Sequence, residues 1–241
     1  MIAILNGYVN SIESMGLVDG PGVRVVVFFD RCLLRCSYCH NPEMWTKKEE
    51  NLISSDAVIE KILKYKTYFN KSGGVTFSGG EPLLQPDFLN ILLEECKNQG
   101  IHTCLDTCGV GIGNYIDILK KVDLVLFDIK AINPKQYLEI TSIENTESLN
   151  FLEICQTLKK KMWIRSVIVP TINDNYEYMD ELASVINSLE NIEKVELLPY
   201  HTMAKSKYYN LDIQYKLERI GNMDKVKLRE LSKYLHSKLE R

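Results

Sequence analysis

No stretch of this chain is long and apolar enough to cross a bilayer. A span needs roughly 18–20 consecutive apolar residues, and no run among the 241 residues reaches that. The N-terminal Met1-Ile2-Ala3-Ile4-Leu5-Asn6 has neither a basic n-region nor a cleavage site, so secretion is not expected. An excess of one charge is missing too. Lys and Arg number 29 against 32 Asp and Glu, a net charge of −3, with both signs mixed along the chain. That balance argues against nucleic acid as the main partner. There is no Gly/Ser linker, low-complexity tract or shift of composition, so a single domain over residues 1–241 is expected. Histidine is scarce, at four residues. These absences leave a cytoplasmic globular protein, expected to be a monomer, with neither nucleic acid nor membrane as partner.

What is present is an alternation of apolar strands and helical patterns. Residues 1–15 read as a hairpin or strand-like cover. Val23–Phe29, Val75–Phe77, Ile101–Asp106, Leu124–Lys130, Trp163–Val169 and Val195–Leu198 read as six buried strands. Between them lie helical spacings such as Val58, Ile62, Tyr65 and Phe69, or Phe88, Leu89, Leu92 and Cys96, the latter ended by Gly100. Leu228, Leu231, Leu235 and Leu239 mark a C-terminal helix. Strands alternating with helices imply parallel pairing. The expected fold is α/β, an incomplete (β/α)6 barrel, with a doubly wound open sheet as the competing topology.

Seven cysteines in an unsecreted chain read as thiols or metal ligands. Three of them, Cys32, Cys36 and Cys39, stand at the spacing C-x₃-C-x₂-C just after the first strand. Thiols this close can point at one small volume, as a thiolate-held metal centre requires. A structural zinc normally takes four ligands. No fourth cysteine follows nearby, and His40 directly adjoins Cys39. A cluster held by three cysteines leaves one iron open. Cys96, Cys104 and Cys155 fall at helix or strand positions and read as buried thiols. In parallel α/β barrels, sites lie at the C-terminal ends of strands. Ser78-Gly79-Gly80-Glu81, Asp106-Thr107, Asp128-Ile129-Lys130 and Pro199-Tyr200-His201 all fall there, and the fifth strand carries Arg165. Glu81, as an acid, suits an ammonium; Asp128 and Lys130 share a strand face if the strand runs that far.

The cysteine triplet resembles the signature of the radical S-adenosylmethionine (SAM) enzymes. Asp19-Gly20-Pro21-Gly22, Arg35 and Tyr38-Cys39-His40-Asn41-Pro42 resemble, within them, the glycyl-radical-enzyme activating family. The likeness runs over nearly the whole chain and thins after about Tyr209. It implies that Cys32, Cys36 and Cys39 hold a [4Fe–4S] cluster whose open iron is chelated by SAM. It further implies SAM contacts from Tyr38, Cys39, His40, Gly80, Asp128, Ile129, Lys130 and His201. Asp106, Thr107 and Asp128 match a monovalent-cation site, and Asp19 and Arg165 match contacts to the partner's peptide. The implied reaction is reductive cleavage of SAM and transfer of the radical to a glycine of a partner glycyl radical enzyme of the pyruvate formate-lyase type. A flavodoxin- or ferredoxin-type reductant is implied, in anaerobic metabolism. Trp45 to Phe77 holds no cysteine, which favours the compact type with one cluster. Cys108 stands where the resemblance implies asparagine after Asp-Thr, and it reads as a non-ligand thiol. Two alternatives remain: a radical SAM enzyme acting on a small molecule by a deazaguanine-type ring contraction, and a zinc-binding interaction module.

Overall fold

β-Branched and aromatic residues dominate Arg24–Phe29 (RVVVFF); Val25, Val27 and Phe29 on one face and Arg24 and Val26 on the other are at most 1% exposed. A strand so covered on both sides belongs in a parallel sheet. The computed structural model describes residues 4–240. Met1–Ala3, where the expected N-terminal cover begins, lie outside the described residues. The strands are β1 (Asn6–Gly16), β2 (Arg24–Phe29), β3 (Leu52–Ser54), β4 (Gly74–Gly79), β5 (His102–Thr107), β6 (Leu124–Asp128), β7 (Met162–Ile168) and β8 (Ile192–Pro199). The helices are α1 (Ser55–Lys64), α2 (Pro86–Asn98), α3 (Tyr115–Leu119), α4 (Pro134–Thr141), α5 (Thr146–Thr157), α6 (Tyr176–Asn187), α7 (Lys205–Asn210) and α8 (Lys225–Lys238). Among the described residues no helix is long and apolar enough to cross a membrane.

The chain divides into two compact units. Among the described residues the first comprises 4–33, 44–127 and 146–161. Its strand order is β3-β1-β2-β4-β5-β6. The parallel strands β2, β4, β5 and β6 follow one another in space as in the chain, while the short β3 pairs antiparallel to β1 at the outer edge. A doubly wound sheet would reverse its parallel strands at a switch point; these four do not, as a barrel-type winding requires. The expected cover is β1, antiparallel to β2. Local chemistry sets the helix ends. Ser54 Oγ accepts from Ala57 N at 3.3 Å to start α1. Pro86 opens α2, which buries Phe88, Leu89, Leu92, Leu93 and Cys96.

Among the described residues the second unit comprises 34–43, 128–145 and 162–240. Here β7 and β8 pair in parallel. Asn133 caps α4, Asn175 caps α6 and Asp224 caps α8, each through its side-chain oxygen. Leu231 and Leu235 are the buried leucines of α8, while Leu228 and Leu239 are half-buried. All six expected strands and the helices between them are present, in an α/β fold of mostly parallel strands.

Candidate active site

In the first unit, register pairs Phe29 with Gly79 and Phe77 with Leu105, so β2, β4 and β5 end on one edge. Cys32 follows β2, half-buried, with its N–H donating to the Trp45 carbonyl at 3.3 Å. After β4 the backbone of Gly80 passes so close to this loop that a Cβ there would lie 2.2 Å from the Arg31 carbonyl oxygen and 2.9 Å from that of Met44. Only glycine permits that approach. Ser78 Oγ donates to Asp106 Oδ2 at 2.7 Å.

Glu81 corrects an expectation. It is 1% exposed and presents no face to an ammonium. Its Oε1 accepts from Thr107 Oγ1 at 2.6 Å and Leu83 N at 3.2 Å, and its Oε2 from Cys108 N and Cys108 Sγ, both at 3.1 Å. Burial pushes the carboxyl up to about 7, against the opposing pull of these donors. The thiol at position 108 is thus a donor to a buried acid. The Thr107 hydroxyl is committed as well, since it also accepts from Gly109 N at 2.8 Å.

The Asp19–Gly22 turn is held from behind. Asp19 offers its carbonyl to Thr76 Oγ1 at 2.6 Å. Gly22, at φ +70°, lies where a Cβ would come within 2.5 Å of Gly73 N. Arg24, fully buried, donates to Thr76 Oγ1 at 2.6 Å, Pro21 O at 2.9 Å and Val75 O at 2.5 Å. Read as one more member of an apolar strand, Arg24 is instead the brace of this turn. Met15, Leu17 and Val18, beside Asp19, are exposed.

In the second unit, residues 34–43 carry Cys36, Tyr38, Cys39 and His40. Arg35 N and Ser37 N donate to the carbonyls of Thr141 and Ile140 at the end of α4, at 2.7 and 2.9 Å. Cys36 is buried, and burial pushes its thiol up to about 11 although Lys130 draws it down. Tyr38 is buried too, with its hydroxyl donating to the Lys130 carbonyl at 3.5 Å. His40 Nε2 donates to the His201 carbonyl at 3.2 Å, and the two imidazoles stack at 3.9 Å and 19°. Burial, reinforced by His201, lowers His40 to about 4, so it is neutral at pH 7. His201 Nδ1 is buried without a hydrogen-bond partner.

Asp128, Lys130 and Arg165 meet here as one group. Lys130 Nζ lies 2.9 Å from Asp128 Oδ2, and Arg165 Nε 2.8 Å from Asp128 Oδ1. Burial alone would raise the Asp128 carboxyl; Arg165 and then Lys130 outweigh it and hold it below its ordinary value. The expected strand to Lys130 is shorter than read. The backbone leaves the ladder after Asp128: Ile129 N still donates to the Arg165 carbonyl at 2.9 Å, but the Lys130 carbonyl accepts from Tyr38. The acid–base pair therefore forms by the lysine side chain returning to Asp128, not across a shared strand face. Arg165, expected to meet a peptide, is 7% exposed and turned to Asp128.

The donor chemistry fits an iron–sulfur cluster and its ligand. Cys39 Sγ already accepts from Asn41 N at 3.4 Å, as a thiolate does. The unpartnered His201 nitrogen suits a bound polar molecule. Among the described residues no three His, Cys, Asp or Glu side chains converge on a single metal ion. In a cluster each thiolate serves a different iron, so its ligands spread over a wider shell. Cys96, Cys104 and Cys155 are fully buried, and burial pushes each thiol up to about 12.

The radical SAM superfamily model matches residues 26–184. A pyruvate formate-lyase-activating enzyme of Clostridium pasteurianum is 52% identical over 97% of this chain and 99% of its own length. One of Staphylococcus epidermidis is 43% identical over 97% of this chain and 96% of its own length. Among solved structures, Streptococcus suis SuiB bound to precursor peptide SuiA superposes with a TM-score of 0.68 at 20% identity. That match covers 88% of this chain and 45% of SuiB, and shows the fold alone.

Proposed function

Because the chain belongs to the radical SAM superfamily, we propose that it is an activase that installs a glycyl radical on a partner enzyme of the pyruvate formate-lyase type. The observation that carries this reading is the 52% identity over nearly the whole of both chains with an activating enzyme of that partner. Cys32, Cys36 and Cys39 hold a [4Fe–4S] cluster, and SAM is the second cofactor. Bound together, these supply one-electron cleavage of the SAM sulfonium bond to a carbon-centred radical that takes a hydrogen from a glycine α-carbon.

The protein's own residues bind, orient and shield. Lys130 carries the charge for the SAM carboxylate, and Asp128, kept ionised by Arg165, serves the hydroxyls. Ile129 and Tyr38 wall the site, with Gly80 and the Cys39 backbone for close approach. His40 and His201 take the nucleoside, His201 through its unpartnered Nδ1. A monovalent cation at Asp106, Thr107 and Asp128 would use the Thr107 main chain, since its hydroxyl is taken. Asp19, on a braced turn beside exposed Met15, Leu17 and Val18, meets the partner's peptide. An apolar lip suits a protein substrate better than a small polar ring. Arg165, which the resemblance matches to a peptide contact, also holds Asp128 through its Nε. The whole chain works as one domain, as a monomer in an anaerobic cytoplasm, fed by a flavodoxin- or ferredoxin-type reductant.

Anaerobic reconstitution with iron and sulfide tests this. The expected result is broad visible absorption and, with SAM and reductant, release of 5′-deoxyadenosine and methionine. One tightly bound zinc and no visible absorption would favour the interaction module instead.

A further inference from the structure

We propose that residues 207–215 form a clasp that fixes the chain around Cys39 and tunes its sulfur, an inference that rests on Cys39 being a cluster ligand. Tyr208, buried, donates its hydroxyl hydrogen to the Cys39 carbonyl at 3.1 Å. Its ring packs 4.6 Å from that of Tyr215. The Tyr215 and Tyr200 hydroxyls share a buried hydrogen bond of 2.7 Å. Lys207 reaches two acceptors beyond Cys39: Asn41 Oδ1 at 3.0 Å and Glu43 Oε1 at 2.5 Å. The main-chain N–H of Asn41 donates to Cys39 Sγ at 3.4 Å. So Tyr208 holds the carbonyl of residue 39, and Lys207 holds the side chain of the residue whose N–H meets the sulfur.

The consequence is electronic as well as mechanical. A hydrogen bond to a cluster sulfur stabilises the more negative, reduced state, so it raises the reduction potential. Partners that orient a ligand contribute to the affinity for the metal as well. Lys207 and Tyr208 are positioning residues for this bond. They lie beyond the segment 26–184 that the family model matches, and nothing in the C-x₃-C-x₂-C spacing points to them.

The test uses the full chain, reconstituted anaerobically, as Tyr208→Phe, Lys207→Met and Lys207→Arg, with exposed Tyr209→Phe as control. Two quantities are read: the midpoint potential, by redox titration followed by EPR, and the rate of iron loss to a chelator. Tyr208→Phe keeps the ring packing and Lys207 is half-exposed, so the variants retain the fold by circular dichroism. The expected result is a more negative potential and faster iron loss in Tyr208→Phe and Lys207→Met. Lys207→Arg should return toward wild type, and Tyr209→Phe should match it. An unchanged potential in both Tyr208→Phe and Lys207→Met would overturn the clasp, whatever the iron loss. Failure of the wild-type chain to take up iron would overturn the cluster reading and the clasp with it.

Discussion

Glu81 and His201 each follow a strand end, and each is a polar residue that the strand-end rule marks as a binding candidate. Their surroundings part them. Every acceptor position that matters on Glu81 is filled by Thr107, Cys108 and Leu83. His201 keeps a buried nitrogen with no partner. A buried polar group without a partner costs free energy on the order of 1–3 kcal/mol, so it persists where a ligand completes it. Glu81 is therefore wired into its own unit, while His201 keeps an acceptor or donor to spare, as its proposed role in binding SAM requires. Position along a strand nominates a residue; the account of its hydrogen bonds decides its role.

The sharpest break of that comparison is at the ligands themselves. Cys36→Ala should abolish iron uptake, while Cys104→Ala and Cys155→Ala, whose thiols are fully buried, should keep the wild-type iron content. Next in size is Asp128→Ala, which strands Arg165 and Lys130 without their acid. Breaking such a buried group costs about 3–5 kcal/mol, read by denaturant unfolding of the apoprotein. For Asp128 the sign is that of a depressed acid: the stabilisation is present above its unfolded pKa and is lost as pH falls through the folded value.

Glu81 has the opposite sign. Its carboxyl ordinarily titrates at 4.5 and here at about 7, so across that window the folded state holds the extra proton. Stability therefore falls as pH rises from 4.5 to about 7. The full swing is on the order of 3 kcal/mol, and Glu81→Gln should remove it with SAM affinity unchanged. His40, lowered from 6.5 to about 4, contributes a slope of the other sign, with stability lost as pH falls through that range. The difference between Glu81→Gln and wild type isolates the Glu81 share. The smallest effect is at His201. His201→Phe keeps the stack on His40 and should weaken SAM binding by about 1 kcal/mol, close to fivefold, without lowering apoprotein stability. A Glu81→Gln loss of SAM affinity larger than that of His201→Phe, by calorimetry, would reverse the assignment.

Much of this was legible in the chain. Runs such as Val25–Phe29 and Leu124–Phe127 announce buried strands because their side chains are apolar on both faces. Gly100 announces the end of a helix, and the structure gives it the left-handed φ of +64° that such a stop favours. Cys32, Cys36 and Cys39 are visible because their spacing is local. What stayed hidden is contact between residues distant in sequence. Arg24 looks like a stray charge in an apolar strand until its donors are seen to brace Pro21, Val75 and Thr76. Glu81 looks available until Thr107 and Cys108 close on it. Tyr208 and Lys207 sit in an unremarked basic, aromatic stretch, and only the fold brings them to Cys39 and Asn41.

If this chain makes a protein radical, one spectrum shows it. The reconstituted protein is incubated anaerobically with SAM, a one-electron reductant and a pyruvate formate-lyase, and the mixture is followed by EPR. The account expects a glycyl radical signal that grows on the partner and that falls sharply when Asp19→Ala replaces the wild-type chain. Cleavage of SAM with no glycyl signal on the partner would contradict it.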